Sequence, residues 1–203
     1  LVPLSMLKLA FNGFGRIGRA AFKIALEQKN LEVVAINDLT EASILAHLLQ
    51  YDTAYGHYRK SVSAKDGKLI VDGQEFPVYA EPDPKKLPWG KLGVDVVLEC
   101  TGRFTDKTGA TQHIEAGAKK VILSAPAKGE DDSVPTFLMG VNEEKYAGEA
   151  VISNASCTTN SLAPIASIIH EKFGIAKALM TTIHSYTADQ NLQDGPHRDL
   201  RRA

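Results

Sequence analysis

A cysteine framed by hydroxyls, in the run Ala155-Ser156-Cys157-Thr158-Thr159-Asn160, sets a nucleophile among groups that can donate to an anion. Leu162, Ile165, Ile169 and Phe173 recur behind it at helical spacing, so the thiol falls at the start of a helix that Gly174 stops. A helix N-terminus carries unpaired N–H groups and about half a positive charge, which favour thiolate over thiol and favour a docked anion. A thiol with an ordinary pKa of roughly 8.5 still needs a cation or base nearby to react quickly near neutral pH. His184, at the end of an expected strand from Ala176 to Ile183, is the leading partner. As imidazolium it would lower the thiol pKa, and as neutral imidazole it would serve as general base. The other reading of the pair is a small core cysteine and an unrelated polar histidine. His47, His57, His113, His170 and His197 have no comparable setting, and Cys100, following an apolar strand, reads as buried.

A second constellation opens the chain. The apolar run Leu7 to Asn12 leads straight into Gly13-Phe14-Gly15-Arg16-Ile17-Gly18. In a strand–turn–helix setting Gly13 takes the tight turn, Gly15 lets the backbone approach a pyrophosphate, and Gly18 permits close packing of helix on strand. The phosphates would sit on the helix N-terminus beside the N–H groups of Arg16 and Ile17. Asp38 closes the next strand, where a carboxylate accepts bonds from both adenosine ribose hydroxyls and repels a 2′-phosphate, pointing to NAD. The competing reading of Asp38 is a cap on the following helix.

These groups need elements to hold them. Ile17, Ala21 and Ile24 mark a helix ending near Asn30, and Leu31 to Ile36 a second strand, so a right-handed βαβ unit with parallel strands is expected. A helix over about Thr40 to Gln50 follows, then short antiparallel strands from Arg59 to Tyr79 around the Asp66-Gly67 and Asp72-Gly73 turns. Glu81 to Gly90 reads as a Pro-rich loop. Buried strands return at Val94 to Glu99 and Lys120 to Ser124 around a helix from Thr108 to Ala116, and Val151 to Ser153 leads to the cysteine. Pro164 opposes the last helix if it lies beyond the first turn. This alternation predicts a doubly wound α/β domain over residues 1–156, with a further unit beginning at 157.

Composition narrows the function classes. The 203 residues are 44% hydrophobic, enough for one sizeable core. With 23 basic and 24 acidic side chains the net charge is −1, so no overall field recruits nucleic acid or an anionic membrane. The one short basic end, Arg198, Arg201 and Arg202, reads as a solvated or ion-paired face. Two cysteines make no disulfide framework, and their spacing suggests no metal site. No apolar run approaches a membrane span, and a cytoplasmic location is expected. Met6 is the expected native start, with Leu1 to Ser5 a remnant added ahead of it.

The stretches Asn12 to Arg19, Asn37-Asp38, Thr101-Gly102-Arg103-Phe104-Thr105, Ser124-Ala125-Pro126, Ser153 to Asn160 and His184-Ser185-Tyr186-Thr187 together resemble phosphorylating glyceraldehyde-3-phosphate dehydrogenases from about Leu7 onward. The resemblance implies a Rossmann-type NAD-binding domain followed by the start of an α+β catalytic domain. It implies that Cys157 attacks the aldehyde to give a hemithioacetal, that hydride passes to NAD, and that inorganic phosphate releases an acyl phosphate from the thioester. His184 would activate the thiol and take the hemithioacetal proton. Ser156 and Thr158 match phosphate-contacting positions, and Thr187 one that holds the phosphate of glyceraldehyde 3-phosphate. Gly13, Gly15, Arg16, Ile17, Gly18, Asp38 and Ser124 match cofactor positions, with Thr101, Gly102 and Phe104 near the adenosine. Homotetramers are implied as well. An erythrose-4-phosphate dehydrogenase and a non-catalytic NAD-binding fragment are the alternatives. Pro82 stands where an arginine is expected, and Ser161 where a second cysteine is common. Members of that family are longer, so this chain is expected to be an N-terminal part whose activity alone is doubtful.

Overall fold

A buried strand must satisfy its backbone on both sides, and the six residues Leu7–Asn12 (β1) do so at the centre of a sheet. The computed structural model describes residues 6–129, 134–193, 195–197 and 199–202. The expected remnant Leu1 to Ser5 and Arg198 of the basic end lie outside the described residues. After β1 come α1 (Arg16–Ala25), β2 (Leu31–Asn37), α2 (Ala42–Gln50), β3 (Tyr51–Asp52), β4 (Gly56–His57), β5 (Val62–Lys65), β6 (Lys68–Val71) and β7 (Gln74–Tyr79). The rest are α3 (Trp89–Leu92), β8 (Val96–Glu99), α4 (Lys107–Glu115), β9 (Lys120–Leu123), β10 (Val151–Ser153) and α5 (Cys157–Phe173). The chain divides into two compact units, up to Pro164 and from Ile165.

In the first unit eight strands form one sheet in the order β10-β9-β8-β1-β2-β7-β6-β5. The six from β10 to β7 run parallel, and β6 and β5 add an antiparallel edge. This is the doubly wound, Rossmann-type arrangement, with β1 where the winding reverses. Alternate residues of β1 enter opposite layers: Leu9 and Phe11 pack with Phe14, Phe22, Ile36 and Phe76, whereas Ala10 packs with Trp89, Val97, Val121 and Leu123. The turns at Asp66-Gly67 and Asp72-Gly73 form as read, with φ of 49° and 48° at the aspartates.

The structure decides which face of α1 is buried, and two expectations change. On α1 the buried stripe is Gly18, Phe22 and Ala25, while Ile17 and Ile24 are 56% and 61% exposed. Both stripes have helical period, and a count of apolar side chains favours the isoleucines because Gly18 has none to count. Close approach at Gly18 decides the face. The Pro-rich loop contains the short helix α3 with Trp89 fully buried, and a small hairpin, β3–β4, follows α2. The strand expected from Ala176 to Ile183 is not formed: these residues have no regular structure and are exposed. A strand needs a neighbour for its N–H and C=O groups, and among the described residues none pairs with it.

The second unit holds the remainder of α5 and irregular chain, ending in a 3-10 turn at Leu200–Arg202. That turn is tied down by ion pairs of Arg202 with Asp189 and of Arg201 with Asp199. α5 continues through Pro164, and none of its side chains is buried.

Candidate functional site

From β1 the chain steps first to β2 on one side and later, after β7, to β8 on the other, which leaves a crevice at the carboxyl ends of these strands. A cleft of about 360 Å³ lies there, lined by Asn12, Gly13, Gly15, Asn37, Asp38 and Leu39 and, facing them, Glu81, Pro82, Cys100, Thr101, Arg103 and Phe104. Gly13 has φ +94°, and a Cβ on it would sit 2.7 Å from the Cys100 carbonyl carbon. A Cβ on Gly18 would meet the Gly13 oxygen at 2.2 Å, so the helix touches the turn backbone to backbone. At Gly15 a Cβ would meet nothing within 4 Å, which leaves an open cradle in the turn. The hydrogen-bond ladder of α1 begins with Arg19 N–H donating to the Gly15 carbonyl at 3.0 Å, so the amides of Arg16 and Ile17 precede the ladder at its positive end.

Asp38 accepts the Phe14 N–H on Oδ2 at 2.7 Å and the Thr40 N–H on Oδ1 at 2.9 Å. The carboxylate therefore braces the glycine turn as well as the turn into α2. Each oxygen keeps capacity for one more donor, which fits a ribose diol. Arg16 turns its side chain away from the turn: Nη1 donates to Asp52 Oδ2 at 2.7 Å and the guanidinium lies over the Tyr55 ring. The Tyr55 N–H and then Arg16 hold the Asp52 carboxyl down to about 2. Gly102 is exposed, and Phe104 sets its ring edge-on to His113. Ser124 follows β9, donates its N–H to the Glu99 carbonyl at 3.0 Å and hydrogen-bonds the Cys100 thiol. Burial nevertheless pushes that thiol up to about 11.

The thiol of Cys157 is exposed at the first turn of the 17-residue α5. Ala155, at φ 60°, makes the sharp turn out of β10. Ser153 Oγ anchors this turn, donating to the Ala125 carbonyl at 2.9 Å and accepting the Ala155 N–H at 3.0 Å. Ser156 Oγ accepts the Thr159 N–H at 2.9 Å and so caps the helix. Asn160 Nδ2 donates to the carbonyls of Asn154 at 2.7 Å and Ser156 at 3.0 Å, closing the turn from the other side. Ser156, Cys157 and Thr158 are thereby gathered on one helix end. Because β10 runs parallel to β9, β8 and β1, that end lies at the same edge of the sheet as the cleft.

His184 and Thr187 belong to the second unit. His184 lies in exposed irregular chain with Nδ1 2.6 Å from the Ser185 carbonyl. Thr187 opens a turn, its N–H donating to Gln190 Oε1 at 2.9 Å.

The motifs assign no role to Asn12, Asn37, Glu99 and His113, all buried, with Asn12 and Asn37 also lining the cleft. A signal was present: Asn12, Asn37 and Glu99 are each the last residue of a buried parallel strand, where an apolar residue would ordinarily pack. Among the described residues no group of three or more histidine, cysteine or acidic side chains is placed to hold a metal, and no helix is long and apolar enough to cross a membrane.

Residues 7–107 match the family model described as "Glyceraldehyde 3-phosphate dehydrogenase, NAD binding domain", and residues 156–203 that described as "Glyceraldehyde 3-phosphate dehydrogenase, C-terminal domain". The chain is 57% identical over 199 residues to the glyceraldehyde-3-phosphate dehydrogenase of Geobacillus stearothermophilus, an alignment covering 97% of this chain and 58% of the relative. It is 58% identical over 201 residues to the Clostridium pasteurianum protein of the same name, covering 98% and 59%. The Thermotoga maritima protein is 55% identical over 201 residues, covering 98% and 60%. The chain thus spans somewhat under two thirds of the length of these relatives.

Proposed function

The chain belongs to the glyceraldehyde 3-phosphate dehydrogenase family, and we propose that, within a protein of the relatives' length, it oxidises glyceraldehyde 3-phosphate with NAD and inorganic phosphate to 1,3-bisphosphoglycerate. The observation that carries this reading is the placement of a helix-end thiol and a cleft lined by the glycine turn and Asp38 on one edge of one sheet. From β2, which leads into Asp38, to β10 is four strand spacings, about 19 Å, within reach of an extended dinucleotide.

The residues of the cleft fit NAD. Asp38 has the capacity to take the adenosine ribose, the cradle at Gly15 and the amides of Arg16 and Ile17 suit the pyrophosphate, and Thr101, Gly102 and Phe104 stand on the adenosine side with Ser124 farther along the edge. When bound, the nicotinamide supplies a hydride acceptor. Cys157 Sγ adds to the aldehyde carbon, with the helix dipole favouring the thiolate that attacks. His184 takes the proton of the resulting hemithioacetal hydroxyl, since loss of hydride from carbon leaves a carbonyl oxygen that no longer holds it. Phosphate then attacks the thioester carbon and expels the thiolate. Ser156 and Thr158 donate hydroxyls to the attacking phosphate and Thr187 to the phosphate of the substrate. We place the start of the catalytic domain at Cys157 and the enzyme, as a homotetramer, in the cytoplasm.

Calorimetric titration of residues 1–203 with NAD and NADP tests the first half of the proposal, and binding of NAD in preference to NADP is expected. The second half is tested in a protein of the relatives' length by following NADH formation from glyceraldehyde 3-phosphate. It should require inorganic phosphate and vanish in Cys157→Ser. NADH formation from erythrose 4-phosphate without phosphate would replace the substrate assignment, and NAD binding without turnover would reduce the protein to a nucleotide-binding module.

A further inference from the structure

At the cleft lies a polar cluster built on Glu99, a residue to which the chemistry above gives no role. Glu99 is 1% exposed and His113 and Trp89 are fully buried. Trp89 Nε1–H donates to His113 Nδ1 at 3.0 Å. An indole N–H can only donate, so Nδ1 is the acceptor and the ring proton resides on Nε2. His113 Nε2–H then donates to Glu99 Oε2 at 3.1 Å, and Asn12 Nδ2 donates to the same oxygen at 2.5 Å. Glu99 Oε1 receives the Thr101 N–H at 2.7 Å and, at shorter range, the Thr101 hydroxyl. The two oxygens thus take four donors, the full complement of a carboxylate.

Among the described residues the cluster's outward hydrogen bonds run to residues of the cleft. Thr101 Oγ1, its proton given to Glu99, accepts the Arg103 N–H at 3.0 Å. Asn12 Oδ1 accepts from Asn37 Nδ2 at 2.7 Å, and Asn37 in turn holds both the carbonyl and the N–H of Glu81 at 2.9 Å. Asn12, Asn37, Glu81, Thr101 and Arg103 all line the cleft. A buried carboxylate is a costly way to fill space, since apolar side chains of the same volume commonly serve stability as well or better. What a fully satisfied polar network adds is one fixed geometry.

We propose that Glu99 is the positioning residue of the nucleotide cleft: held by His113 in the tautomer that Trp89 selects, it fixes the Thr101 to Arg103 segment and the Asn12 amide in the shape that receives the dinucleotide. The proposal rests on the reading of the cleft as an NAD site. Its test combines amide hydrogen exchange on the ligand-free chain with NAD titration of wild type, Glu99→Gln, Thr101→Val, Thr101→Ser and the double variant Glu99→Gln/Thr101→Val. A glutamine presents an N–H₂ to donors that expect an oxygen, so exchange at the Thr101 and Arg103 amides should accelerate roughly tenfold or more while β1 stays protected. NAD affinity should fall by a similar factor, Thr101→Ser should keep more of it than Thr101→Val because only serine retains the hydroxyl that donates to Glu99, and the double variant should bind no more weakly than Glu99→Gln alone. Unchanged exchange at Thr101 and Arg103, or additive losses in the double variant, would overturn the proposal. Should Glu99→Gln fail to fold, the contrast between Thr101→Val and Thr101→Ser decides, equal binding by those two refuting it. A wild-type chain that binds no NAD would instead overturn the reading of the cleft, and the exchange measurement would still decide whether Glu99 holds the loop.

Discussion

Ala155 adopts φ 60°, a conformation that costs an L-residue about 1–2 kcal/mol. It does so one residue before the Ser156 cap, so the strain is spent on aiming Cys157 from the end of β10. The two cysteines are placed for opposite behaviour. Cys157 is exposed at a positive helix end, whereas burial pushes the Cys100 thiol up to about 11. Iodoacetamide at pH 7 should therefore alkylate Cys157 well before Cys100, as read by peptide mass mapping over time. A raised thiol pKa means that the thiolate is scarce below it, so labelling of Cys100 should grow about tenfold per pH unit and level off only near 11. In a protein of the relatives' length, His184→Asn should slow the labelling of Cys157 near neutrality. Equal rates for the two thiols at pH 7 would refute an activated Cys157.

At the scale of elements, the glycine turn and α1 act as one unit because their backbones touch. Gly18→Ala places a methyl 2.2 Å from the Gly13 oxygen, which forces α1 off β1. Gly15→Ala meets nothing within 4 Å, and Gly15 has φ −72°, an ordinary value for alanine. The two substitutions should therefore separate folding from binding. Gly18→Ala should lower the melting temperature sharply, while Gly15→Ala should melt like wild type and lose most of its affinity for NAD in a titration. Equal affinity in Gly15→Ala would place the pyrophosphate elsewhere. Helix α5 offers the opposite case, since none of its residues is buried and its Ser156 cap and Asn160 clamp supply its local anchoring.

At the largest scale, the aromatic part of one of the first unit's two cores is built around Phe22. Its ring meets Phe11, Phe14 and Phe76 edge-on at centroid distances of 5.9, 5.2 and 5.1 Å, joining α1 to the parallel strand β1, the glycine turn and β7 at the antiparallel margin. Phe22→Ala should cost about 3–5 kcal/mol by urea unfolding, the range for a buried phenylalanine that leaves a cavity. Ile24→Ala, on the exposed stripe of the same helix, should change stability by no more than about 0.5 kcal/mol. A larger loss at Ile24 than at Phe22 would reverse the assignment of the faces.

The sequence by itself determined what local chemistry dictates. The glycine turn, the strand ends at Asn37 and Ser153, the Asp-Gly hairpins and the helix behind Cys157 are set by residue type and spacing, because turn conformation, helix capping and period act within a few residues. It also carried the family, through motifs whose residues lie close together along the chain. Tertiary structure decided the rest. Periodicity could not choose between the stripes of α1, since that choice lies in the approach of Gly18 to Gly13. The expected strand at Ala176 to Ile183 did not form, because a strand exists only with a neighbour. The cluster of Trp89, Glu99, His113 and Asn12 joins residues up to 101 positions apart, so no local pattern announces it. Only folding brings those side chains together at the cleft, where burial leaves their polar groups to satisfy one another.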